Sequence, residues 1–146
     1  MNRRFLVTGL LTSIVNLVLH AVAFALVLKG IYRSFPAGSP EFVRQLQRPA
    51  DELVVWAMVA TSLTMGYLVT LAMQWAGART FVAGLRQGAV FGFLFWGSVN
   101  SGLYAASRHF SLVAVLADFL SSSIIMMMAA AFAAWMLGKD QPRAGH

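Results

Sequence analysis

Four long apolar stretches, separated by shorter polar segments, set the pattern of the chain. Their approximate bounds are residues 5–28, 53–75, 84–106 and 112–137. A helix needs about 20 mostly apolar residues to cross a bilayer, and each stretch approaches or exceeds that length. The pattern therefore predicts an all-α, polytopic membrane protein in which residues 1–146 form one bundle of four transmembrane helices.

The first connection carries a helix signal of its own. It contains the segment SPEFVRQLQR at residues 39–48, in which Ser39 can cap a helix and Pro40 suits its first turn. We predict a short amphipathic helix there, lying on the membrane interface or on the bundle, with an ordered loop as the alternative. The later connections, residues 77–80 and 107–110, are short turns.

The N-terminal stretch also fits a second interpretation. Two arginines precede the apolar run, and Ala-Val-Ala at residues 21–23 has the small residues of a signal-peptide cleavage site. The apolar run continues to residue 28, beyond that site, which favours a full membrane span over a cleaved signal peptide at residues 1–23.

Composition agrees with a membrane protein and removes several classes of function. Hydrophobic residues make up 59% of the chain and charged residues 11%, against about 45–50% and about 25% in soluble domains. The absence of cysteine excludes disulfides, thiol nucleophiles and Cys-based zinc sites. The net charge of +6 is spread singly over the ends of the stretches, which is typical of lipid contacts rather than of a nucleic-acid surface.

The basic residues also indicate an orientation. Four spans place both termini on one side, whose Lys and Arg residues are Arg3, Arg4, Arg79, Arg86, Lys139 and Arg143. Those of the other side are Lys29, Arg33, Arg44, Arg48 and Arg108. Under the positive-inside rule, this small excess predicts cytoplasmic termini in a bacterial inner membrane.

Depth along the four helices brings polar residues into one layer. Counted at about 1.5 Å per residue from the outer ends, one residue of each span lies roughly 9–12 Å below the surface. These residues are His20, Thr61, Asn100 and Asp118, and the further candidates beside them are Asn16, Trp96, Tyr104 and Ser122. Since an ionisable group at membrane depth is a functional candidate, we predict a ligand- or ion-binding site here, with His20 as the partner of Asp118.

Small residues in the third span predict close helix contacts. Gly84, Gly88 and Gly92 form a ladder that lets another helix approach, either within the bundle or in a homodimer or another membrane protein. The methionines at 126–128 point about 100° apart around their helix, which indicates filler rather than a copper site.

Motifs of the common enzyme classes are missing from the sequence, which has no GxSxG, HExxH, phosphate-binding or dinucleotide motif. We therefore predict a non-enzymatic protein without a metal or cofactor. A haem with His20 as its single axial ligand stays open, whereas ligation by two histidines is disfavoured because His109 lies in a loop.

Two stretches carry a family resemblance. FWGSVNSGLY at residues 95–104 and LADFLSSS at residues 116–123, with the polar face of the first span, resemble small four-span bacterial inner-membrane proteins grouped as domains of unknown function. The resemblance implies a fold rather than an activity. The chain departs from small drug/metabolite transporters, which have an intramembrane glutamate in their first span where this chain has His20.

Two functions follow from these observations. The leading hypothesis is a non-enzymatic membrane protein that acts as a subunit, an assembly factor or a bundle that binds a hydrophobic ligand. The alternative is a proton- or cation-coupled transporter of a small solute that uses Asp118 and His20. If the polar layer is purely structural, each interhelical contact contributes roughly 0.5–2 kcal/mol to stability.

Overall fold

The computed structural model describes residues 3–46, 48–108 and 110–139, and the elements in these ranges are all helical. Helix α1 runs over Arg3–Ser34 and includes a wider π-helical turn at Phe24–Leu28. The other helices are α2 at Pro40–Leu46, α3 at Val55–Trp75, α4 at Phe81–Ala106 and α5 at Leu112–Gly138, with a single 3-10 turn at Ala50–Glu52.

Three helices, α1, α3 and α5, are long and apolar enough to cross a membrane. They indicate a multi-pass membrane protein and confirm that part of the predicted fold. Helix α4 has 26 residues and is long enough as well. Its composition is less apolar because it contains Arg86, Gln87 and Asn100 beside several glycines, so the fourth span stays a prediction.

The end of α1 differs most from the predicted boundaries. Lys29 was expected to end the span near residue 28, yet the helix continues to Ser34. A lysine does not stop a helix, because its long side chain can carry the charge away from the apolar surface. The stop is Pro36, which disfavours helical geometry in the preceding Phe35, whose φ is −128° and ψ 64°.

The predicted short helix of the first connection is present as α2. The Ser39 hydroxyl accepts a hydrogen bond from the backbone N–H of Phe42 at 3.3 Å, as expected of a capping residue. Its amphipathic character and its position, on the membrane interface or on the bundle, stay predictions.

Helix α5 lies at the centre of the bundle and contacts α1, α3 and α4. Its inner surface is rich in alanine, and Ala129, Ala130, Ala133 and Ala134 are completely buried. They belong to the hydrophobic core, together with Val69 and Met73 of α3 and Met126 of α5 itself. Small side chains at these positions let three other helices approach one backbone closely.

The glycine ladder of α4 packs against α5 of the same chain. A Cβ atom on Gly84 would lie 2.6 Å from the carbonyl oxygen of Ala130, and one on Gly92 would lie 2.9 Å from that of Ser123. The Ser123 hydroxyl donates across the same contact to the carbonyl of Gly92 at 3.2 Å. A homodimer would therefore need a surface other than this ladder.

Helices α1 and α3 also meet through glycines, in an antiparallel arrangement. Gly66 of α3 packs on the main chain of Ser13, and Gly9 of α1 packs on the ring of Tyr67. The Tyr67 hydroxyl donates to the carbonyl of Leu6 at 3.1 Å. These contacts fix the relative height of the two helices, and with it the positions of the residues further along both of them.

Two buried hydroxyls in α1 lead to a prediction. Thr8 and Thr12 are 1% and 0% exposed, and within the described part of the chain their hydroxyls have no hydrogen-bond partner. Replacing Thr12 with valine, which has almost the same shape, should raise the free energy of unfolding by about 1–2 kcal/mol, because an unpaired buried hydroxyl is removed. Thermal unfolding in detergent measures the change.

The matched control for this prediction is Thr70→Val. Thr70 is equally buried, but its hydroxyl donates to the carbonyl of Gly66 at 2.8 Å, so this substitution should lower stability. A loss of stability in Thr12→Val of the same size as in Thr70→Val would contradict the prediction and show that the Thr12 hydroxyl is bonded, for example to a buried water molecule.

Candidate functional site

A groove of about 380 Å³ opens between α1 and α3 and reaches Trp96 of α4. Its lining residues are Asn16, Leu17, His20, Ala57, Met58, Thr61, Ser62, Met65 and Trp96. The groove brings together His20, Asn16, Thr61 and Trp96 from the predicted set of site residues. Within the described part of the chain, no Lys, Arg, Asp or Glu side chain lines it.

The imidazole of His20 is held in a defined orientation. Its Nδ1 atom lies 3.0 Å from the carbonyl oxygen of Asn16, one helical turn earlier. Because a carbonyl can only accept, Nδ1 must carry the proton, and Nε2 of the neutral ring is then a free acceptor. The ring centroid lies 6.2 Å from that of Trp96, which packs edge-on against Phe95 at 5.4 Å.

The other polar residues of the groove differ in exposure and in hydrogen bonding. Thr61 is exposed, and its hydroxyl donates to the carbonyl of Ala57 at 2.9 Å, which leaves the lone pairs of its oxygen as acceptors. Asn16 is only 5% exposed. The indole Nε1 of Trp96 is buried and has no partner among the described residues. The groove thus offers two acceptors, on His20 and Thr61, and one unpaired donor, on Trp96, at an otherwise largely apolar surface.

Asp118 lies apart from the groove, and its partner is Tyr32, which is not among the predicted site residues. Among the described residues, its carboxylate accepts a hydrogen bond from the Tyr32 hydroxyl at 3.1 Å and none from His20. The predicted His20–Asp118 pair is therefore replaced by a Tyr32–Asp118 pair. The Tyr32 ring also contacts Phe24 and Phe110, with centroid distances of 6.4 and 5.9 Å.

The remaining predicted residues lie outside the groove. Asn100 is 4% exposed, its amide donates to the carbonyl of Trp96 at 3.1 Å, and it lines a second crevice of about 400 Å³ between α4 and α5. Tyr104 is 47% exposed, near Arg108 at the end of α4. Ser122 is buried in α5, and its neighbour Ser123 makes the interhelical hydrogen bond.

Six residues of these sites are not among the predicted site residues: five line the groove, and the sixth is Tyr32. The five in the groove are Leu17, Ala57, Met58, Ser62 and Met65. The last three share the face of α3 that carries Thr61, a signal that the helical period contains. Tyr32 was missed because the first span was ended at residue 28. Extending the helix to the proline at residue 36 would have put Tyr32 on the same helix as His20.

The described part of the chain holds no cluster of three metal-ligating side chains. Among residues 3–46, 48–108 and 110–139, no three His, Asp or Glu side chains come together as metal ligands. His109, considered above as a second haem ligand, lies outside the described residues.

The chain matches no protein-family model, no curated protein and no solved structure. The resemblance to four-span inner-membrane proteins accordingly stays a prediction.

Proposed function

We propose that this chain is a non-enzymatic, four-span membrane protein whose groove binds an apolar molecule from the bilayer. The groove itself carries the proposal. Its volume of about 380 Å³ falls within the range of about 300–1,000 Å³ common for small-molecule sites. Its apolar lining includes Leu17, Met58 and Met65, and His20 and Thr61 supply polar groups that can orient a ligand.

A fourth span is supported by the packing and the outer face of α4. The helix runs antiparallel to α5 along the glycine ladder, so it crosses the same layer as a helix of membrane-spanning length. Its outer face is apolar, with Val90, Phe93 and Leu94 between 59% and 64% exposed. Four spans place both termini on one side, and the small excess of basic residues there favours the cytoplasm of a bacterium.

The bilayer is the source of the ligand in this proposal, because the groove is flanked by exposed apolar side chains. Met58, Val59 and Leu63 of α3 are 49%, 44% and 36% exposed. In a membrane these side chains would contact lipid tails, so an apolar molecule could enter the groove sideways without crossing water.

The coupled transporter receives less support. It relies on Asp118 and His20 exchanging a proton or sharing a cation, and the Asp118 carboxylate is engaged by Tyr32 instead. The groove around His20 contains no acidic side chain that could hold a cation. Binding of an uncharged molecule requires no acidic side chain in the groove.

Photolabelling in lipid nanodiscs tests the proposed function. A long-chain hydrocarbon bearing a diazirine should label Leu17, Met58 and Met65 in a saturable way, and excess unlabelled hydrocarbon should compete. Ala57→Phe places a phenyl ring in the groove and should weaken this competition about tenfold, which corresponds to about 1.4 kcal/mol.

The matched control is Ser98→Phe, which puts the same ring into the second crevice, between α4 and α5. It should leave labelling of the groove unchanged. Uniform labelling of all lipid-facing residues, unaffected by Ala57→Phe, would contradict the proposed function.

A further inference from the structure

The groove's hydrogen-bonding groups define what its ligand must carry. Nδ1 of His20 is committed to the carbonyl of Asn16, so the neutral ring presents Nε2 as an acceptor, and no side chain in the described part of the chain bonds to it. The Thr61 hydroxyl likewise donates its hydrogen bond to the carbonyl of Ala57, so its oxygen can only accept a bond from a ligand. These two acceptors, one on α1 and one on α3, call for a ligand that donates a proton. A hydroxyl oxygen can in addition accept from the indole N–H of Trp96, which is unpaired among the described residues.

The depth of the groove limits the charge of that ligand. Trp56, which is 75% exposed, marks the outer end of α3, and Thr61 lies about 7.5 Å further in at the rise of an α-helix. No Lys, Arg, Asp or Glu lines the groove. A phosphate or carboxylate head at this depth would lose its hydration without gaining a counter-charge, which is costly. The donor must therefore belong to a small uncharged group.

We propose that the groove binds an apolar molecule with one uncharged hydroxyl, such as a long-chain or isoprenoid alcohol, which donates its proton to Nε2 of His20. This inference rests on the proposed function and names the chemical class of its ligand. The Thr61 oxygen is a second acceptor within the same groove, and Trp96 borders the imidazole. The hydrocarbon chain packs on Leu17, Met58 and Met65, and flexible methionines adapt to an irregular chain.

A ligand that lacks the hydroxyl proton leaves the His20 and Thr61 acceptors unpaired, even where its oxygen accepts from Trp96. The oxygen of a ketone, an ester or an ether would face the lone pair of Nε2 and could not hydrogen-bond to it. The site should therefore bind an alcohol more tightly than a ketone, an ester or an ether of the same size.

The test compares a long-chain alcohol with its methyl ether. Both compete against the diazirine-bearing hydrocarbon, with the full-length protein in nanodiscs. The alcohol should compete about fivefold better than the ether, since one net hydrogen bond is at stake. His20→Phe keeps an aromatic ring but removes the acceptor. In this variant the alcohol should compete no better than the ether.

Two further variants separate lost recognition from a damaged fold. His20→Gln retains an acceptor oxygen and should recover part of the preference for the alcohol, whereas Thr61→Val should reduce it without abolishing it. Thermal unfolding of each variant checks the fold. If His20→Phe unfolds, the preference of the wild-type protein for the alcohol and its reduction in Thr61→Val decide the question.

The outcomes distinguish this inference from the function on which it rests. If hydrocarbon, ether and alcohol all compete equally, the groove binds apolar molecules and the hydroxyl inference is overturned. If none competes, the proposed function fails with it. If a fatty acid or a lysophospholipid competes better than the alcohol, the ligand has a charged head and the inference is again overturned.

Discussion

Replacing Gly66 with valine is expected to lower the free energy of unfolding by about 3 kcal/mol, the upper end of the usual cost of overpacking. A Cβ atom on Gly66 would overlap the N, Cα and Oγ atoms of Ser13 in α1. Two of these atoms are main chain and cannot rotate away, so α1 and α3 would have to separate. The Tyr67–Leu6 hydrogen bond crosses the same contact and would be lost as well.

A matched glycine controls for the intrinsic effect of valine in a helix. Gly102 of α4 has no atom within 4 Å of the position that its Cβ would occupy. Gly102→Val should therefore change stability by less than about 1 kcal/mol. Unfolding by heat or by titration with a denaturing detergent compares the two variants. Equal stabilities for Gly66→Val and Gly102→Val would show that α1 and α3 do not pack at this register.

Gly66→Val should also weaken ligand binding in the groove. The groove lies beyond the Ser13–Gly66 contact on the same two helices, and its walls keep their spacing only while that contact is closed. In the photolabelling experiment, the groove residues of Gly66→Val should no longer show labelling that excess unlabelled hydrocarbon can compete away. This loss is expected even in lipids that keep the protein folded.

Replacing Tyr32 with phenylalanine is expected to lower the free energy of unfolding by about 2 kcal/mol. A hydrogen bond to a charged acceptor contributes about 1.5–3 kcal/mol, and its loss leaves the partly buried Asp118 carboxylate without this donor. The phenyl ring keeps the contacts with Phe24 and Phe110, so the effect isolates the hydroxyl. Tyr104→Phe is the control, since Tyr104 is 47% exposed and should change stability by less than about 0.5 kcal/mol.

A double-mutant cycle assigns the effect to the pair. Asp118→Asn keeps an acceptor oxygen and should cost less than Tyr32→Phe, whereas Asp118→Leu removes the acceptor. Once Asp118 is leucine, Tyr32→Phe should add little further loss, which corresponds to a coupling energy of about 1–2 kcal/mol. Strict additivity of the two substitutions would show that the hydroxyl and the carboxylate do not interact in the membrane.

Much of the site follows from depth, which the sequence encodes directly. Counting residues from the ends of the spans placed His20 and Thr61 at one depth, and both line the groove, because the rise of an α-helix is the same in every sequence. The same count put Asn100 and Asp118 in this layer, yet Asn100 lines the crevice between α4 and α5 and Asp118 bonds to Tyr32. The count gives depth but not rotation, and it assumed that α1 ends at residue 28. The helix instead continues to Ser34 and brings Tyr32 to the carboxylate.

The sequence by itself determined that the chain is helical and apolar enough to enter a membrane, where three of the expected spans lie, and which helix faces carry polar residues. Hydrophobic length and the helical period are local properties, and both are written along the chain. Only the tertiary structure decided that α5 lies at the centre, that the glycine ladder is covered within the chain, and that Asp118 pairs with Tyr32. The reason is physical: the rise along a helix sets depth, whereas the rotation of each helix about its axis depends on how side chains from different helices fit together.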